Sequence, residues 1–501
     1  MIKVNIERSS KTPIYLQMFQ QIKQQILDNE IPEGYRLPSE REFAISLGVN
    51  RSTIVNAYKE LEAEGYLEAK VGRGTVVREF GGSAARKVPD PDEVFNWRDT
   101  LEAVSPIDLS RKITTDEQIL SRIRKLVKDS EIISFVKDIT PKDGSIPNLL
   151  IESFSRVATA KTAKLFQKGP VEGFSSLREC VVKIMRKRNV SVTQDQIVIT
   201  RNSPHALDLV ARLLIRSNDT VITDEPTFMS FIRIFSRHEA RVATIPMLNN
   251  GQNNYYSEHF SEVLRRNYAK FFLIRPTYLN PTGRTLDHET RQSILDNAYK
   301  FGVPLVEYDP YYDLYHDRSP PDPIISMDFK DYVLYIGSFP RSLPLDMQLG
   351  WIAGPKAVIS RIARLKRMDR DYTTSILQWI ADDFCRTGNM ERYLYEVRKQ
   401  CRQNCQAFAD TIKKYGQNLI RCIPPLGGYH VWCVLPESVN AEQLLAVATH
   451  HKVVFMPGDM FFLSGTPGEN HIRVTLFDIT EREVIEGTKR LCRAVQEVVE
   501  S

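Results

Sequence analysis

The sequence predicts an α/β protein with two domains, in which a small N-terminal domain precedes a much larger one. From residue 107 to residue 501, helical patterns alternate with short β-branched runs, which favours a large, mostly parallel sheet covered by helices. Residues 1–79 instead combine helical patterns with a short Gly-containing hairpin. Residues 80–106 lack periodicity and contain Gly-Gly-Ser and Pro-Asp-Pro sequences, which are typical of a linker.

The composition is that of a globular protein from a reducing compartment. With 501 residues, of which 42% are hydrophobic and 26% charged, the chain is neither collagen-like nor wholly disordered. Its apolar runs fall far short of the ~20 residues that span a bilayer, and its N-terminus lacks the apolar segment of a secretion signal. We therefore expect a cytoplasmic protein with no membrane partner. Its seven mostly scattered cysteines predict reduced thiols rather than a metal site.

Successive helices are predicted in the N-terminal domain. Apolar residues recur at helical spacing between positions 14 and 26, and Pro13 opens that helix. Ser39 and Glu42 have the spacing of a capping box, which predicts the start of a second helix. Gly48 then turns the chain into a third helix. Two short helices joined by a Gly-containing turn indicate a helix-turn-helix.

The start of the third helix carries the first candidate DNA contacts. Either Asn50 or Ser52 can cap this helix, and Arg51, Ser52 and Thr53 lie at its beginning. In helix-turn-helix motifs this end enters the major groove, where base edges are recognised. Residues 1–80 hold as many acidic as basic residues, and the chain carries a net charge of only +5. The prediction of DNA binding therefore depends on the placement of residues and not on bulk charge.

A β-hairpin is predicted after the third helix. Residues 66–70 and 74–77 are strand-like and flank a Gly-containing turn, which is the pattern of a wing. Basic side chains of the domain can neutralise phosphates. The candidates are Arg36, Arg41, Lys70 and Arg73.

Motifs in this order closely resemble the GntR-family winged helix over residues 11–78. They are Pro13-Ile-Tyr-x-Gln, Leu37-Pro-Ser-x-Arg, Leu47-Gly-Val-Asn-Arg-Ser-Thr, Ala57-Tyr-x-x-Leu and Glu64-Gly-Tyr-Leu, followed by Gly-x-Gly-Thr75. The resemblance implies that the domain binds double-stranded DNA. It assigns the DNA contacts to Arg41, Arg51, Ser52, Thr53 and the wing residues Gly72, Arg73 and Gly74.

Polar turns follow predicted strands in the larger domain. Asn280-Pro-Thr-Gly is a strong turn, and Glu307-Tyr-Asp-Pro-Tyr-Tyr follows a β-branched run. Gly337-Ser-Phe-Pro-Arg-Ser and Gly427-Gly-Tyr are further loops after apolar runs. Ligand-binding residues of open α/β sheets lie at such strand ends. Taken alone, the turns indicate only an α/β domain that binds a ligand.

The same turns, together with other motifs, resemble fold-type I, class I aminotransferases from about residue 110 to residue 498. The motifs are Glu131-Ile-Ile-Ser-Phe, Gly169-Pro-x-x-Gly-x-x-x-Leu-Arg, Asp224-Glu-Pro-Thr-Phe, Asn280-Pro-Thr-Gly, Asp309-Pro-Tyr, Gly350-Trp and Ile472-Arg-Val-Thr. The resemblance implies a large mixed, mostly parallel sheet, a smaller α+β subdomain, a homodimer and the cofactor pyridoxal phosphate (PLP). A GntR winged helix fused to such a domain is the architecture of MocR/GabR regulators. The helix before Ile132 and the Asp-Pro-Tyr motif look more like aminoadipate- and kynurenine-type aminotransferases.

Several positions that hold PLP in this family have other residues here. Arg341 stands at the position of the Schiff-base lysine, and a guanidinium stays protonated and cannot serve as the reactive amine. Gln348 stands at the position of a phosphate-binding arginine. Tyr308 replaces the aspartate that pairs with the pyridinium nitrogen, although an alternative alignment places Asp309 there, with Tyr312. The resemblance therefore implies PLP, but not as an internal aldimine.

The phosphate end departs from the family pattern as well. Pro204 removes a backbone N–H where an anion needs donors. Phe166 replaces a tyrosine that normally reaches the neighbouring subunit's phosphate.

Other cofactor and substrate positions match the family. They are Ser203, Phe228, Asn280, Tyr311 and Ser338, and Arg473 matches the arginine that binds the substrate carboxylate through a bidentate fork. For Phe228 and Asn280, retained core or turn structure is the alternative interpretation.

The sequence thus predicts a DNA-binding transcriptional regulator with a homodimeric, non-catalytic aminotransferase-like domain. We expect that domain to sense a small carboxylate or amine, with Arg341 supplying positive charge where the lysine stood. The alternatives are a working aminotransferase that uses a substitute lysine, a regulator that binds PLP non-covalently, and a DNA-binding dimer without an effector. Lys330 and Lys356 flank the lysine segment but do not stand at the motif position.

Overall fold

The computed structural model describes the chain outside residues 1, 3, 8–11, 29, 33, 64–65, 71–73, 78–108, 137–147, 161–164, 166, 248–254, 267, 341–342, 344–347, 417, 464–467 and 501. It divides into two compact units, Met1–Val104 and Ser105–Ser501. The predicted linker at 80–106 lies outside the described residues, so the limits of the predicted domains, 1–79 and 107–501, remain predictions.

Helices and one hairpin form the first unit in the order that the sequence predicts. They are α1 (Ile14–Leu27), α2 (Glu40–Leu47), α3 (Arg51–Ala63), β1 (Leu67–Lys70) and β2 (Gly74–Val77). The two strands are antiparallel.

Local hydrogen bonds fix the turn between α2 and α3. Glu42 N–H donates to Ser39 Oγ at 3.3 Å, and Ser39 N–H donates to the Glu42 carboxylate at 3.1 Å, which completes the predicted capping box. Gly48 ends α2 with φ 61°, a left-handed conformation that glycine adopts without steric cost. Asn50, rather than Ser52, caps α3, because its side-chain oxygen accepts the Ser52 N–H at 3.2 Å.

A small apolar core holds these helices together. Met18 and Ile22 of α1 pack with Ile54 and Leu61 of α3, and all four are fully buried. Tyr58 donates its hydroxyl to Pro38 O at 3.0 Å, which ties α3 to the segment before α2. The orientation of α3 is therefore set by its buried face, and its polar N-terminal residues are left at the surface.

The second unit is built around a large mixed sheet. Its strands are β4 (Ile197–Thr200), β5 (Thr220–Glu225), β6 (Arg241–Pro246), β7 (Ala269–Ile274), β8 (Leu305–Tyr308), β9 (Val333–Ser338) and β10 (Gly350–Ala353), in the order β4-β10-β9-β8-β7-β5-β6. Strands β5 to β9 are parallel, and β10 runs antiparallel to both of its neighbours. Each β-branched run from which a strand is predicted overlaps a strand of this sheet; the runs are residues 196–200, 220–223, 241–245, 270–274, 303–307 and 333–336.

A smaller sheet follows towards the C-terminus. It contains β11 (Arg421–Cys422), β12 (His430–Val434), β15 (His471–Thr475) and β14 (Met456–Pro457) in that order. Strand β3 (Ile133–Ser134) pairs in parallel with β13 (Val453–Val454). This arrangement confirms the predicted fold class, a large mostly parallel sheet with a smaller α+β part.

Helices surround both sheets of this unit. They are α4 (Leu109–Leu126), α5 (Asn148–Ala160), α6 (Ser175–Lys187), α7 (Ser203–Leu214), α8 (Met229–Arg237), α9 (Tyr255–Arg266), α10 (His288–Phe301), α11 (Lys356–Met368), α12 (Ser375–Arg386), α13 (Asn389–Tyr415), α14 (Ala441–His450) and α15 (Glu481–Glu500). In the part of the chain that is described, no helix combines the length and apolar composition needed to cross a membrane.

Helix α13 contributes to two separate hydrophobic cores. Its first half places Leu394 and Val397 in the core beside the large sheet. Its second half places Phe408 and Ile412 in the core beneath the smaller sheet. One continuous helix of 27 residues therefore joins the two parts of the unit.

The carboxyl group of Glu307 in β8 is fully buried and supports a neighbouring turn. It accepts the N–H groups of Ile324 at 2.8 Å and Ile325 at 3.0 Å. Burial raises the pKa of Glu307 to about 8, and Asp309 adds to the rise, whereas Arg291 and the two N–H groups act in the opposite direction. The folded protein therefore retains a proton that the unfolded chain loses.

We expect this proton to make the fold less stable as pH rises. Between about pH 5 and pH 8 the folded state binds more protons at Glu307 than the unfolded state does, so the free energy of unfolding falls with pH. Glu307→Gln cannot titrate and should flatten that fall in urea denaturation series, by up to about 1.4 kcal/mol per pH unit. The exposed Glu289→Gln is the matched control, and parallel pH profiles for wild type and Glu307→Gln would contradict the expectation.

Candidate functional site

The exposed start of α3 presents the predicted base-reading residues. Arg51 and Ser52 are exposed and Thr53 is half-buried. Arg51 Nη2 and Nε donate to the Glu40 carboxylate at 2.9 and 3.2 Å. Glu40 therefore holds the guanidinium in one orientation, a contact that the sequence analysis missed because Glu40 lies on the preceding helix.

The other predicted DNA contacts lie around the hairpin and α2. Arg36 and Arg41 are exposed, and the backbone of Arg36 forms an isolated antiparallel bridge with Val76 of β2. Lys70 ends β1 and Gly74 begins β2, so both flank the tip of the hairpin. Gly72 and Arg73 lie outside the described residues, and their roles stay predictions.

In the second unit, predicted ligand residues meet at the carboxyl ends of the parallel strands. Phe228, Asn280, Tyr308 and Tyr311 line one cavity. Its volume is about 30 Å³, enough for only one or two water molecules.

Tyr308 occupies the inner wall of this cavity. Its hydroxyl lies 2.8 Å from Ser203 Oγ, and its ring packs edge-on against Phe231, with 4.8 Å between ring centroids. Asp309, the residue of the alternative alignment, instead accepts a hydrogen bond from the Thr277 hydroxyl at 3.1 Å. Burial raises the pKa of Asp309 to about 6, although Arg188 and Arg291 oppose the rise. The geometry thus favours the alignment in which Tyr308 takes the place of the family aspartate.

The start of α7 is poorly suited to a phosphate group. Asn202 caps this helix by accepting the His205 N–H at 2.8 Å, and Pro204 has no N–H to donate. The Asn202 cap is not evident from the sequence motifs.

The residues opposite α7 also direct their polar groups to the backbone. Ser338 donates its hydroxyl to Phe339 O at 2.7 Å, and the buried Gln348 donates to Leu343 O at 3.4 Å. Arg341 lies outside the described residues. Among the described residues around this cavity, the side chains do not match the donor set that the phosphate and pyridinium nitrogen of PLP require.

Arg473 remains as a cationic group next to this region. It is almost fully buried, donates Nη1 to Asn280 Oδ1 at 3.0 Å, and lies 5.2 Å from the centroid of the Phe461 ring. The structure therefore joins two predicted site residues, Arg473 of β15 and Asn280 of the turn after β7, through a direct hydrogen bond. Arg473 also borders a larger cavity of about 560 Å³ on the side of α4.

Arg275 is a buried residue of the site that the sequence analysis missed. It pairs with the buried Asp224, to which its Nε donates at 2.9 Å, and it donates Nη1 to Asn280 O at 2.8 Å. Burial raises the pKa of Asp224, and Arg275 opposes that rise. The only sequence feature that could have indicated Arg275 was the presence of a charged residue at the end of the apolar strand β7.

These features define a protein with a winged helix-turn-helix domain and an aminotransferase-type domain. The sequence model of the family "Aminotransferase class I and II" matches residues 143–491, and that of "Bacterial regulatory proteins, gntR family" matches residues 14–77. The chain belongs to the class I and II aminotransferase family and carries an N-terminal DNA-binding domain of the gntR family.

Two relatives align with nearly the whole chain, and a solved aminotransferase structure matches its larger part. "Uncharacterized HTH-type transcriptional regulator YisV" of Bacillus subtilis is 27% identical over 91% of this chain and 90% of its own length. "Uncharacterized HTH-type transcriptional regulator YdfD" of the same organism is 26% identical over 98% of both chains. The structure of LysN, an alpha-aminoadipate aminotransferase from Thermus thermophilus, matches 75% of this chain and 95% of its own with 27% identity and a TM-score of 0.68.

Proposed function

We propose that this protein is a transcriptional regulator that binds operator DNA as a homodimer. The gntR-family domain supports the DNA-binding part, and the exposed start of α3 supplies suitable residues. Relatives that align over nearly the whole chain are named as transcriptional regulators, which supports the regulatory part. The dimer is implied by the family resemblance. A dimeric DNA-binding protein fits an operator with two half-sites in inverted or direct repeat.

The aminotransferase-type domain acts in this proposal without catalysing transamination. The segment from Ser338 to Trp351 contains no lysine, and Arg341 stands at the lysine position. The proposal that the domain lacks transaminase activity is carried by the contact between Tyr308 and Ser203, which places the Tyr308 phenol in the site. A phenol at that position cannot hold the pyridinium ring protonated as a carboxylate does. Pro204, which has no N–H to donate, further disfavours a bound phosphate group.

The domain instead binds a small carboxylate or amine beside Arg473. Guanidinium groups bind carboxylates through paired, charge-assisted hydrogen bonds, which favours this class of ligand. Such a ligand regulates DNA binding only if it favours one arrangement of the protein over another.

Purified protein mixed with PLP should give the absorbance spectrum of free PLP, and after borohydride reduction and gel filtration no pyridoxyl group should remain on the protein. No amine stands at the motif position to form a Schiff base that borohydride can fix. A class I aminotransferase treated in the same way is the positive control. A band fixed by borohydride would contradict the proposal, and a shifted band that survives gel filtration but is not fixed would favour non-covalent PLP binding.

A further inference from the structure

We propose that the larger cavity beside Arg473 binds a linear molecule with an anionic group at each end, such as a dicarboxylate. The cavity has a volume of about 560 Å³ and lies between α4, the start of α8 and the smaller sheet. This volume falls within the range of small-molecule sites. The site depends on the proposed sensing function and specifies the ligand's chemical class and the residue that selects it.

The first anionic group binds at Arg473. This arginine is held from two sides, by its hydrogen bond to Asn280 Oδ1 and by the face of the Phe461 ring. A guanidinium fixed in this way loses little conformational freedom when a carboxylate binds.

The second anionic group binds at Arg233 of α8, which lines the same cavity. Its Nε is buried and has no hydrogen-bond partner among the described residues. A buried donor without an acceptor is destabilising, and a ligand oxygen would satisfy it. Arg124, exposed on α4, lines the cavity as a further cation.

Glu117 of α4 is the ion-pair partner of Arg233. Its carboxylate lies 3.4 Å from Arg233 Nη1, and its side chain is 61% exposed. A partly exposed pair with this separation contributes little stability. An incoming anion can therefore replace Glu117, and this exchange would change the contact between α4 and α8.

The space between the two cationic groups is mostly apolar. Ile123 of α4, Val127 just after it, Met456 and Met460 contribute apolar side chains to the lining, and methionine side chains adapt readily to ligand shape. Asp116 is the acidic residue that also lines the cavity, against three arginines. The charge of the lining therefore favours a dianion with an aliphatic middle, and Asp116 offers a partner for an amino group on that chain.

Calorimetric titration with matched acids tests the site. The probes are succinate, glutarate, adipate and pimelate, each paired with the monocarboxylate of the same carbon number. In the wild-type protein at least one dicarboxylate should bind about tenfold or more tightly than its monocarboxylate partner, because the second charged contact exists only for the dianion. Arg233→Gln should abolish this preference, and Glu117→Gln should strengthen dicarboxylate binding.

Two controls separate binding from folding. Arg237→Gln removes an exposed charge from the same helix and should leave the preference unchanged. Thermal unfolding without ligand reports whether Arg233→Gln folds normally, and Glu117→Gln tests the same contact from the opposite side. Equal affinity for both members of every pair, no binding of any dicarboxylate, or an unchanged preference in Arg233→Gln would overturn the proposal. DNA binding measured without ligand is independent of these outcomes. The proposed regulatory function can therefore hold even if no dicarboxylate binds.

Discussion

Arg51→Ala should weaken operator binding by about ten- to a hundredfold and relax base preference at one position in each half-site. A side chain that reads a base edge contributes about 1–3 kcal/mol of discrimination. Arg51 stands at the exposed start of α3, and Glu40 fixes its guanidinium. The measurement is an equilibrium titration with a duplex that the wild-type protein selects from a random library, repeated at several salt concentrations.

Two further variants test whether the expected loss is specific to the contact that Arg51 makes with DNA. Lys59→Ala removes an exposed charge from the later part of α3 and should change affinity less than about twofold. Glu40→Gln releases Arg51 and removes a negative charge near the phosphates. It should therefore strengthen binding to unrelated DNA while lowering the preference for the selected duplex. Equal losses for Arg51→Ala and Lys59→Ala would contradict the placement of α3 in the major groove.

Arg275→Met should lower the free energy of unfolding by about 3–5 kcal/mol. Arg275 and Asp224 are both almost fully buried, and removal of one partner leaves an uncompensated charge in the interior. Asn280 O also loses the N–H that Arg275 donates. Since burial raises the pKa of Asp224, this carboxylate can take up a proton, and the penalty should shrink as pH falls. Urea denaturation at two pH values measures both effects.

A surface pair and a double variant provide the comparison. Arg402→Met breaks an ion pair with Asp317 in which both side chains are about 60% exposed, and it should cost less than about 1 kcal/mol. Arg275→Met combined with Asp224→Asn removes both charges and should destabilise less than the sum of the single variants. A cost for Arg275→Met no larger than that for Arg402→Met would show that the buried pair is dispensable.

Much of the architecture could be predicted because its signals are local. Buried parallel strands appear as β-branched runs, and the capping box at Ser39 and Glu42 has a fixed spacing. Strand β10 was missed because Gly350-Trp-Ile-Ala is short and begins with glycine. The strand predicted at 303–307 begins later, at Leu305, after a proline that cannot donate to the sheet.

Residues of the candidate ligand site could be predicted only at positions that belong to recognised family motifs. Phe228, Asn280, Tyr308 and Tyr311 lie together as the family pattern implies. The partners that fix these residues were not visible, because Arg275 and Asp224 are 51 positions apart and contact each other only in the fold. The same holds for Arg233 and Glu117, which form an ion pair although they lie far apart in the sequence. The two residues of such a charged pair are not separated by any fixed number of positions, so the sequence alone does not reveal the pair.

Helix α13 has a consequence for how the larger unit responds to heat and force. Its 27 residues span about 40 Å and form one ladder of backbone hydrogen bonds that enters both hydrophobic cores. Melting of either core would expose the half of the helix that packs in that core and would interrupt the ladder at its middle. The two sheets should therefore unfold as a single cooperative unit, and amide protons in the middle of α13 should exchange with solvent only when the whole unit opens.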